Sequence, residues 1–235
     1  MSHLLITLLL GPILLIQGLI VRRKTIVLSE PDGSRQGQSG TGQPLKVLIV
    51  GDSAAAGVGV DHQNKALLGQ LINHLTDNFC VSWQLEAITG ATTQSTIKSL
   101  ENLQNSKFDV VVTSLGVNDV TSNISLSKWL QQQNTLQRIC TEKFNTQLVI
   151  VTALPPMGQF PALPQPLRWY LGRRSDQFNQ SLENQVLNKS NIHYMSIGSI
   201  DDNKAMASDG FHPGAKVYQQ WAIFAAEKIK SEFLN

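Results

Sequence analysis

The chain has 235 residues, of which 42% are hydrophobic and only 15% are charged. This length suits one ordinary domain, and the balance excludes a disordered chain or a coiled coil. The net charge is only +2. Because three basic residues lie together near the N-terminus, the rest of the chain has no basic surplus with which to bind nucleic acid.

An uncharged, apolar run over residues 4–21 is just long enough to cross a membrane as a helix. No Lys or Arg precedes it and no cleavage site follows it, which argues against a signal peptide that is removed. The basic cluster RRK follows at 22–24. We therefore expect residues 1–24 to be a membrane anchor, although Gly11-Pro12 leaves a kinked interfacial helix as an alternative. The positive-inside rule predicts that the rest of the chain is cytoplasmic, with export as the other possibility.

The stretch after the predicted anchor is rich in Gly, Ser, Gln and Pro and shows no apolar period. This composition is typical of a flexible tether, so residues 25–44 are predicted to link the anchor to a globular domain over 45–235. In that domain, short apolar runs alternate with helical stretches, which predicts a parallel sheet covered by helices on both faces. The predicted strands are 46–51, 81–88, 109–114, 147–152 and 191–195, and the predicted helices are about 64–78, 94–105, 124–142, 168–189 and 214–233.

Candidates for chemistry follow the predicted strands, because ligands of such sheets bind at the carboxyl ends of the strands. Ser53 follows the first strand in GDSAAAG, Gly90 follows the second, and Asn118 follows the third in GVND. Taken singly, each has an ordinary interpretation as a helix cap, a turn glycine or an Asx turn. The first loop is neither GxGxxG nor a P-loop, so it offers no standard phosphate cradle.

A fourth motif, DGFHPG, lies just before the last predicted helix and contains Asp209 and His212. At this spacing the carboxylate is close enough to accept a hydrogen bond from the imidazole Nδ1. Pro213 predicts that the helix begins there, since proline is favoured at the first helical position. A hydroxyl, an imidazole, a carboxylate and neutral donors at one edge of a sheet are the groups that a serine hydrolase needs.

GDSAAAG, the segment around Gly90, GVND and DGFHPG resemble, in order and spacing, the four sequence blocks of the SGNH hydrolases, also called GDSL lipases and esterases. The resemblance covers residues 46–235. It departs from the family at GDSA, where the family name has GDSL, and at the second block, which is reduced to a glycine followed by Ala-Thr-Thr. It implies a three-layer α/β/α sandwich with a five-stranded parallel, flavodoxin-like sheet.

The resemblance also implies a role for each candidate residue. Ser53 is the implied nucleophile, His212 the general base and then acid, and Asp209 the carboxylate that orients His212. The implied oxyanion hole consists of the Ser53 and Gly90 backbone N–H groups and the Asn118 side chain. No metal or cofactor is implied.

A Pro-rich, apolar insert at 153–174 follows the fourth strand and contains Met157, Phe160 and Trp169. We interpret it as a flap that lines an acyl pocket, with a packed surface loop as the alternative. An apolar flap and a membrane anchor favour a small-molecule carboxylic ester with a short to medium acyl chain. A lysophospholipid or thioester substrate is the nearest competitor, and a non-catalytic flavodoxin-like binding domain is the alternative from another class.

Overall fold

The computed structural model describes residues 3–198 and 205–234, with side chains from residue 10 onward. Within these residues one sheet contains the strands Gln36–Ser39 (β1), Gln43–Gly51 (β2), Phe79–Ala87 (β3), Val110–Ser114 (β4), Leu148–Thr152 (β5) and Ile192–Met195 (β6). The α-helices are His3–Lys24 (α1), Ser53–Ala56 (α2), Leu67–Leu75 (α3), Thr93–Asn102 (α4), Val117–Val120 (α5), Leu126–Arg138 (α6), Leu167–Val186 (α7) and Ala215–Phe233 (α8). Shorter turns lie at Gln63–Lys65, Ile139–Lys143 and Met157–Gln159.

The sheet has the strand order β1-β3-β2-β4-β5-β6. Strands β2 to β6 pair in parallel, as the sequence predicts. The strand count is six rather than five, because β1 adds an antiparallel edge strand next to β3. The predicted three-layer α/β/α architecture is confirmed with this one correction.

The prediction of a flexible tether over residues 25–44 is wrong. The segment contains β1 and the start of β2, Asp32 forms a bridge with His62, and the Arg35 carbonyl accepts a hydrogen bond from the Leu85 N–H at 2.8 Å. An edge strand is held by backbone hydrogen bonds, which do not require apolar side chains. Gly37 lies against the ring of Trp83, where a Cβ would come within 2.5 Å of a ring atom, so a residue without a side chain fits there.

Two helical layers bury the sheet. In β2, Val47 and Ile49 belong to the core cluster shared with α3 and α8, whereas Leu48 and Val50 belong to the cluster shared with α4, α6 and α7. Successive side chains of a strand point to opposite faces, and here both faces are covered. All four side chains are fully buried, which explains why the strand appears in the sequence as a continuous apolar run.

Helix α1 packs against the beginning of α7. Leu14 is buried there, and the side chain of Gln17 donates to the Gln165 carbonyl at 2.7 Å and accepts from the Leu167 N–H at 3.0 Å. Other apolar side chains of α1 remain exposed, Leu15 by 71%. Among the residues described with side chains, no helix has the length and hydropathy of a membrane span, and residues 1–9 of the predicted anchor lie outside them.

Candidate active site

The ends of β2, β3 and β4 lie at the same level, because Gly51 pairs with Ala87 on one side and with Ser114 on the other. After β2 the chain continues to β3 on one side and then returns to β4 on the opposite side, which makes this edge a topological switch point. The segments that carry Ser53, Gly90 and Asn118 therefore all begin at the carboxyl-terminal edge of the sheet.

A tight turn presents Ser53 at the start of α2. The Asp52 side chain caps this short helix by accepting a hydrogen bond from the Ala54 N–H at 3.0 Å. A Cβ on Gly51 would lie 2.4 Å from the Ser114 carbonyl oxygen and 2.5 Å from the Ala55 Cβ, so the turn requires glycine there. The turn leaves the Ser53 side chain only partly buried.

Ser53, His212 and Asp209 form one continuous hydrogen-bonded chain. The His212 Nε2 lies 2.9 Å from the Ser53 Oγ, and its Nδ1 lies 2.5 Å from the Asp209 Oδ2. The other oxygen of Asp209 accepts from the backbone N–H groups of Phe211 and His212 at 2.9 and 3.0 Å. The structure thus brings together the three predicted catalytic side chains, which lie up to 159 positions apart in the chain.

The hydrogen bonds around Asp209 favour its ionised form. Burial by itself raises the pKa of this carboxyl, but the bonds from the His212 side chain and from the two backbone N–H groups outweigh it and lower the pKa. An ionised carboxylate only accepts hydrogen bonds, so it keeps a proton on the His212 Nδ1 and leaves the Nε2 lone pair facing Ser53.

The loop that carries this pair is closed by its own backbone. The Ala207 N–H donates to the His212 carbonyl at 2.9 Å, and the Gly214 N–H donates to the Ala205 carbonyl at 2.8 Å. The expectation that the last helix begins at Pro213 is wrong, because α8 begins at Ala215 with Gly214 as its N-cap. Pro213 instead forms an antiparallel bridge with Met206 inside this loop.

The predicted oxyanion donors lie on three neighbouring segments. Gly90 has a φ of +81°, a conformation that favours glycine, and nothing lies within 4 Å of the place where its Cβ would be. The Ser53 and Gly90 N–H groups make no hydrogen bond to any described residue. Asn118 donates through Nδ2 to the Ala91 carbonyl at 2.9 Å and lies a long 3.5 Å from the Asp52 Oδ2. The two backbone N–H groups therefore have capacity left for a substrate oxygen, and the Asn118 amide gains it by giving up its long contact with Asp52.

Asp119 supports the site, although the sequence analysis gave it no role. It is buried and accepts hydrogen bonds from the Thr93 N–H at 3.0 Å and from the Thr93 hydroxyl at 2.8 Å. Burial raises the pKa of its carboxyl. The contact ties the beginning of α4, just after Gly90, to α5, which carries Asn118. An acidic residue beside Asn118 and two threonines after Gly90 were the available sequence signals.

Burial also raises the pKa of the Asp52 carboxyl, here to about 7. The Ala54 N–H and the charge of His212 act in the opposite direction, and the charge of Asp119 adds to the rise. The carboxyl that precedes the candidate nucleophile therefore titrates near neutral pH. Within the described ranges, no three His, Cys, Asp or Glu residues lie close enough together to hold a metal ion.

A small apolar cavity of about 50 Å³ adjoins Ser53 and His212. Of the three insert residues predicted to contact substrate, only Phe160 lines it. Met157 does not line the cavity but is fully buried in the core, and Trp169 lies on α7 with 40% of its surface exposed, 5.4 Å from the Arg173 guanidinium. The insert is packed against the domain, and it also lines the cavity through Leu154, Pro155 and Phe160. Other apolar residues that line the cavity include Leu115, Val117, Met206, Phe211 and Val217.

Comparisons with known proteins agree with this geometry. The model of the GDSL-like lipase/acylhydrolase family matches residues 49–220, and no curated protein matches the chain. The esterase EstA from Pseudoalteromonas sp., in a structure inhibited by monoethylphosphonate, is similar at 19% identity and a TM-score of 0.61 over 81% of this chain and 99% of that chain. Est24, a carbohydrate acetylesterase from Sinorhizobium meliloti, is similar at 18% identity and a TM-score of 0.58, over 80% of this chain and 100% of that chain. The lipase Lip_vut3 from a goat rumen metagenome is similar at 17% identity and a TM-score of 0.63, over 80% of this chain and 97% of that chain. At these identities the likeness shows a shared fold.

Replacement of Asn118 tests the oxyanion assignment. We expect Asn118→Ala to lower kcat for an ester by roughly a hundredfold or more and to leave KM nearly unchanged, as loss of one oxyanion donor does elsewhere. Asn102→Ala is the control, because that side chain also donates to a backbone carbonyl but lies on α4. A rise in KM with an unchanged kcat would make Asn118 a binding residue instead.

Replacement of Asp52 tests the raised pKa. A carboxyl that binds its proton more tightly in the folded state makes the protein less stable as pH rises from its unfolded pKa to its folded pKa, here from about 4 to about 7. The free energy of unfolding of the native chain should therefore fall relative to that of Asp52→Asn between pH 4 and 8, as measured by urea unfolding. The asparagine keeps an oxygen with which to cap α2. Parallel pH profiles for the two proteins would show that Asp52 titrates normally.

Proposed function

Because the chain belongs to the GDSL-like lipase/acylhydrolase family, we propose that it is a serine esterase that hydrolyses small carboxylic esters through an acyl-enzyme. The observation that carries this proposal is the hydrogen-bonded chain from Ser53 through His212 to Asp209. The family and the esterase-like fold support ester hydrolysis, and the geometry of these three side chains supports the serine mechanism.

In the proposed acylation step, the Ser53 Oγ forms a bond to the ester carbonyl carbon while its proton passes to the His212 Nε2. The carbonyl π electrons move to oxygen, and the negative oxygen is stabilised by the N–H groups of Ser53 and Gly90 and by the Asn118 amide. The bond to the alcohol oxygen then breaks, and this oxygen takes the proton from Nε2. Throughout, Asp209 remains ionised and stabilises the positive imidazolium.

In the proposed deacylation step, water takes the place of the alcohol. The His212 Nε2 removes a proton from the water while its oxygen adds to the acyl carbonyl, and the same donors hold the negative oxygen. The bond from the acyl carbon to the Ser53 Oγ then breaks, and the proton returns to Oγ. The carboxylic acid leaves, and the enzyme returns to its starting state without a cofactor.

The cavity supports a short acyl group. The accessible volume of about 50 Å³ is small and its lining is mostly apolar, which favours a short acyl group. We therefore expect acetyl to butyryl groups rather than the long chain of a lysophospholipid. Est24 is described as a carbohydrate acetylesterase, and a short acyl group on a sugar is compatible with this cavity.

Labelling of Ser53 is the direct test of the mechanism. An activated organophosphonate should add one phosphonyl group to the peptide that contains Ser53, detected by mass spectrometry, and should abolish ester hydrolysis. Ser53→Ala should remove both the label and turnover but leave the fold intact, because it deletes one hydroxyl and no core volume. Ser125→Ala is the control, since that serine caps α6 away from His212. A native chain with neither label nor turnover would be a binding domain instead.

A series of nitrophenyl esters tests the acyl limit. The ratio kcat/KM should be highest for chains of two to four carbons and should fall at least about tenfold by eight carbons, because added methylenes overfill the cavity. Met206→Ala enlarges the cavity at a half-buried position and should shift the optimum to longer chains. Met157→Leu, at a methionine that does not line the cavity, should keep the native preference. An optimum at twelve carbons would favour a lysophospholipid or thioester substrate.

We further propose that α1 attaches the protein to a membrane, with the catalytic domain on the cytoplasmic side. The support is the exposed apolar face of α1, including Leu15, Ile16 and Leu19, followed by the basic cluster at 22–24. The full chain should float with anionic vesicles in a density gradient, and a chain that lacks residues 1–24 should not. Protease added to sealed cells tests the side of the membrane, because it should not cleave a catalytic domain that lies in the cytoplasm. Equal flotation of both chains would overturn the attachment.

A further inference from the structure

The turn that carries the Gly90 N–H has little packing of its own. Ile88 is 62% exposed, Thr89 and Gly90 are also exposed, and no atom lies within 4 Å of the Cβ position of Gly90. Backbone hydrogen bonds hold its two ends, from the Ile88 N–H to the Gly51 carbonyl and from the Ala91 N–H to the Ile88 carbonyl. The Thr89–Gly90 peptide lies between these points, and its orientation decides where the Gly90 N–H points.

Glu30 holds this turn from outside the catalytic motifs. One carboxylate oxygen of Glu30 accepts from both donors of Thr89, the backbone N–H at 3.2 Å and the hydroxyl at 2.7 Å. The bonds fix Thr89 at its backbone and at its side chain, and Thr89 directly precedes Gly90. Glu30 lies outside residues 49–220, the range that the family model matches.

Arg35 fixes Glu30 in turn. Its guanidinium pairs with the second Glu30 oxygen at 2.8 Å and also donates to the Ala87 carbonyl at the end of β3. The Arg35 carbonyl accepts from the Leu85 N–H, and β1 begins at the next residue. The ionic pair is therefore attached to the strand from which the turn emerges, so Glu30 has a fixed position relative to Gly90.

We propose that Glu30 is a positioning residue that orients the Gly90 N–H for the oxyanion, an inference that rests on the proposed esterase function. A free Thr89 would let the exposed turn sample several peptide orientations, only some of which aim the N–H at the oxyanion. Anchoring at Glu30 removes that freedom before substrate binds, and a fixed donor needs no reorganisation during the reaction. The segment predicted to be a tether thus contributes to catalysis.

The test compares Glu30→Ala and Glu30→Gln in the full chain. We expect Glu30→Ala to lower kcat by roughly five- to thirtyfold, less than full loss of a donor, with KM changed by under about twofold. Glu30→Gln should recover part of the loss, because its amide oxygen still accepts from Thr89. The affinity for a trifluoromethyl ketone, which forms a tetrahedral oxyanion on Ser53, should fall by the same factor as kcat.

Glu232→Ala is the matched control, since it breaks another exposed ionic pair, with Lys228 at 2.8 Å, and should leave kcat and ketone affinity unchanged. If the native chain hydrolyses esters and Glu30→Ala keeps kcat within about twofold, the positioning role is wrong and the esterase proposal stands. A rise in KM alone would also overturn the role. If the native chain shows neither turnover nor phosphonate labelling, both proposals fail.

Discussion

The hydrogen-bond register of β2 with its two neighbours determines where Ser53, Gly90 and Asn118 lie. Gly51 pairs with the last residues of β3 and β4, so the segments after β3 and β4 each begin one strand spacing from the segment after β2. Ser53 comes two residues after that level, and Asn118 comes four residues after the end of β4. A shift of one residue in either pairing would move a whole segment along the sheet and reverse the faces of its side chains. Gly51 maintains this close approach because it has no Cβ.

Three buried carboxyl groups surround the site, and their hydrogen bonds give them different ionisation. Asp209 receives donors on both oxygens and is held in its ionised form, as an imidazole partner requires. Burial dominates at Asp52 and Asp119, whose pKa values are raised. The negative charge of Asp209 thus lies next to His212, where an imidazolium needs it. At Asp52, whose carboxyl lies 3.5 Å from the Asn118 amide, the raised pKa of about 7 reduces the negative charge that would oppose a developing oxyanion at neutral pH.

Much of this arrangement was predictable from the sequence. The parallel strands are short and buried on both faces, which makes them visible as apolar runs, and the residues after them carry unusual combinations of functional groups. The edge strand β1 was not predictable, because it is held by its backbone and has the Gly- and Gln-rich composition of a linker. The substrate contacts of Met157 and Trp169 were predicted from apolarity alone. Tertiary packing decided instead that one lies in the core and the other on the surface. The role of Glu30 depends on a contact across 59 positions, which no local pattern records.

The contacts that complete the molecule join positions very far apart in the chain. Gln17 bonds to groups at the start of α7 that lie 148 and 150 residues later, and Ser53 meets His212 across 159. During synthesis from the N-terminus, α1 and the Ser53 turn emerge long before any of these partners exists. Contacts of such separation form late, because the entropy of closing a long loop must be overcome first. A fragment that stops before residue 212 lacks the imidazole, so the site cannot be complete until the segment that carries His212 has been synthesised.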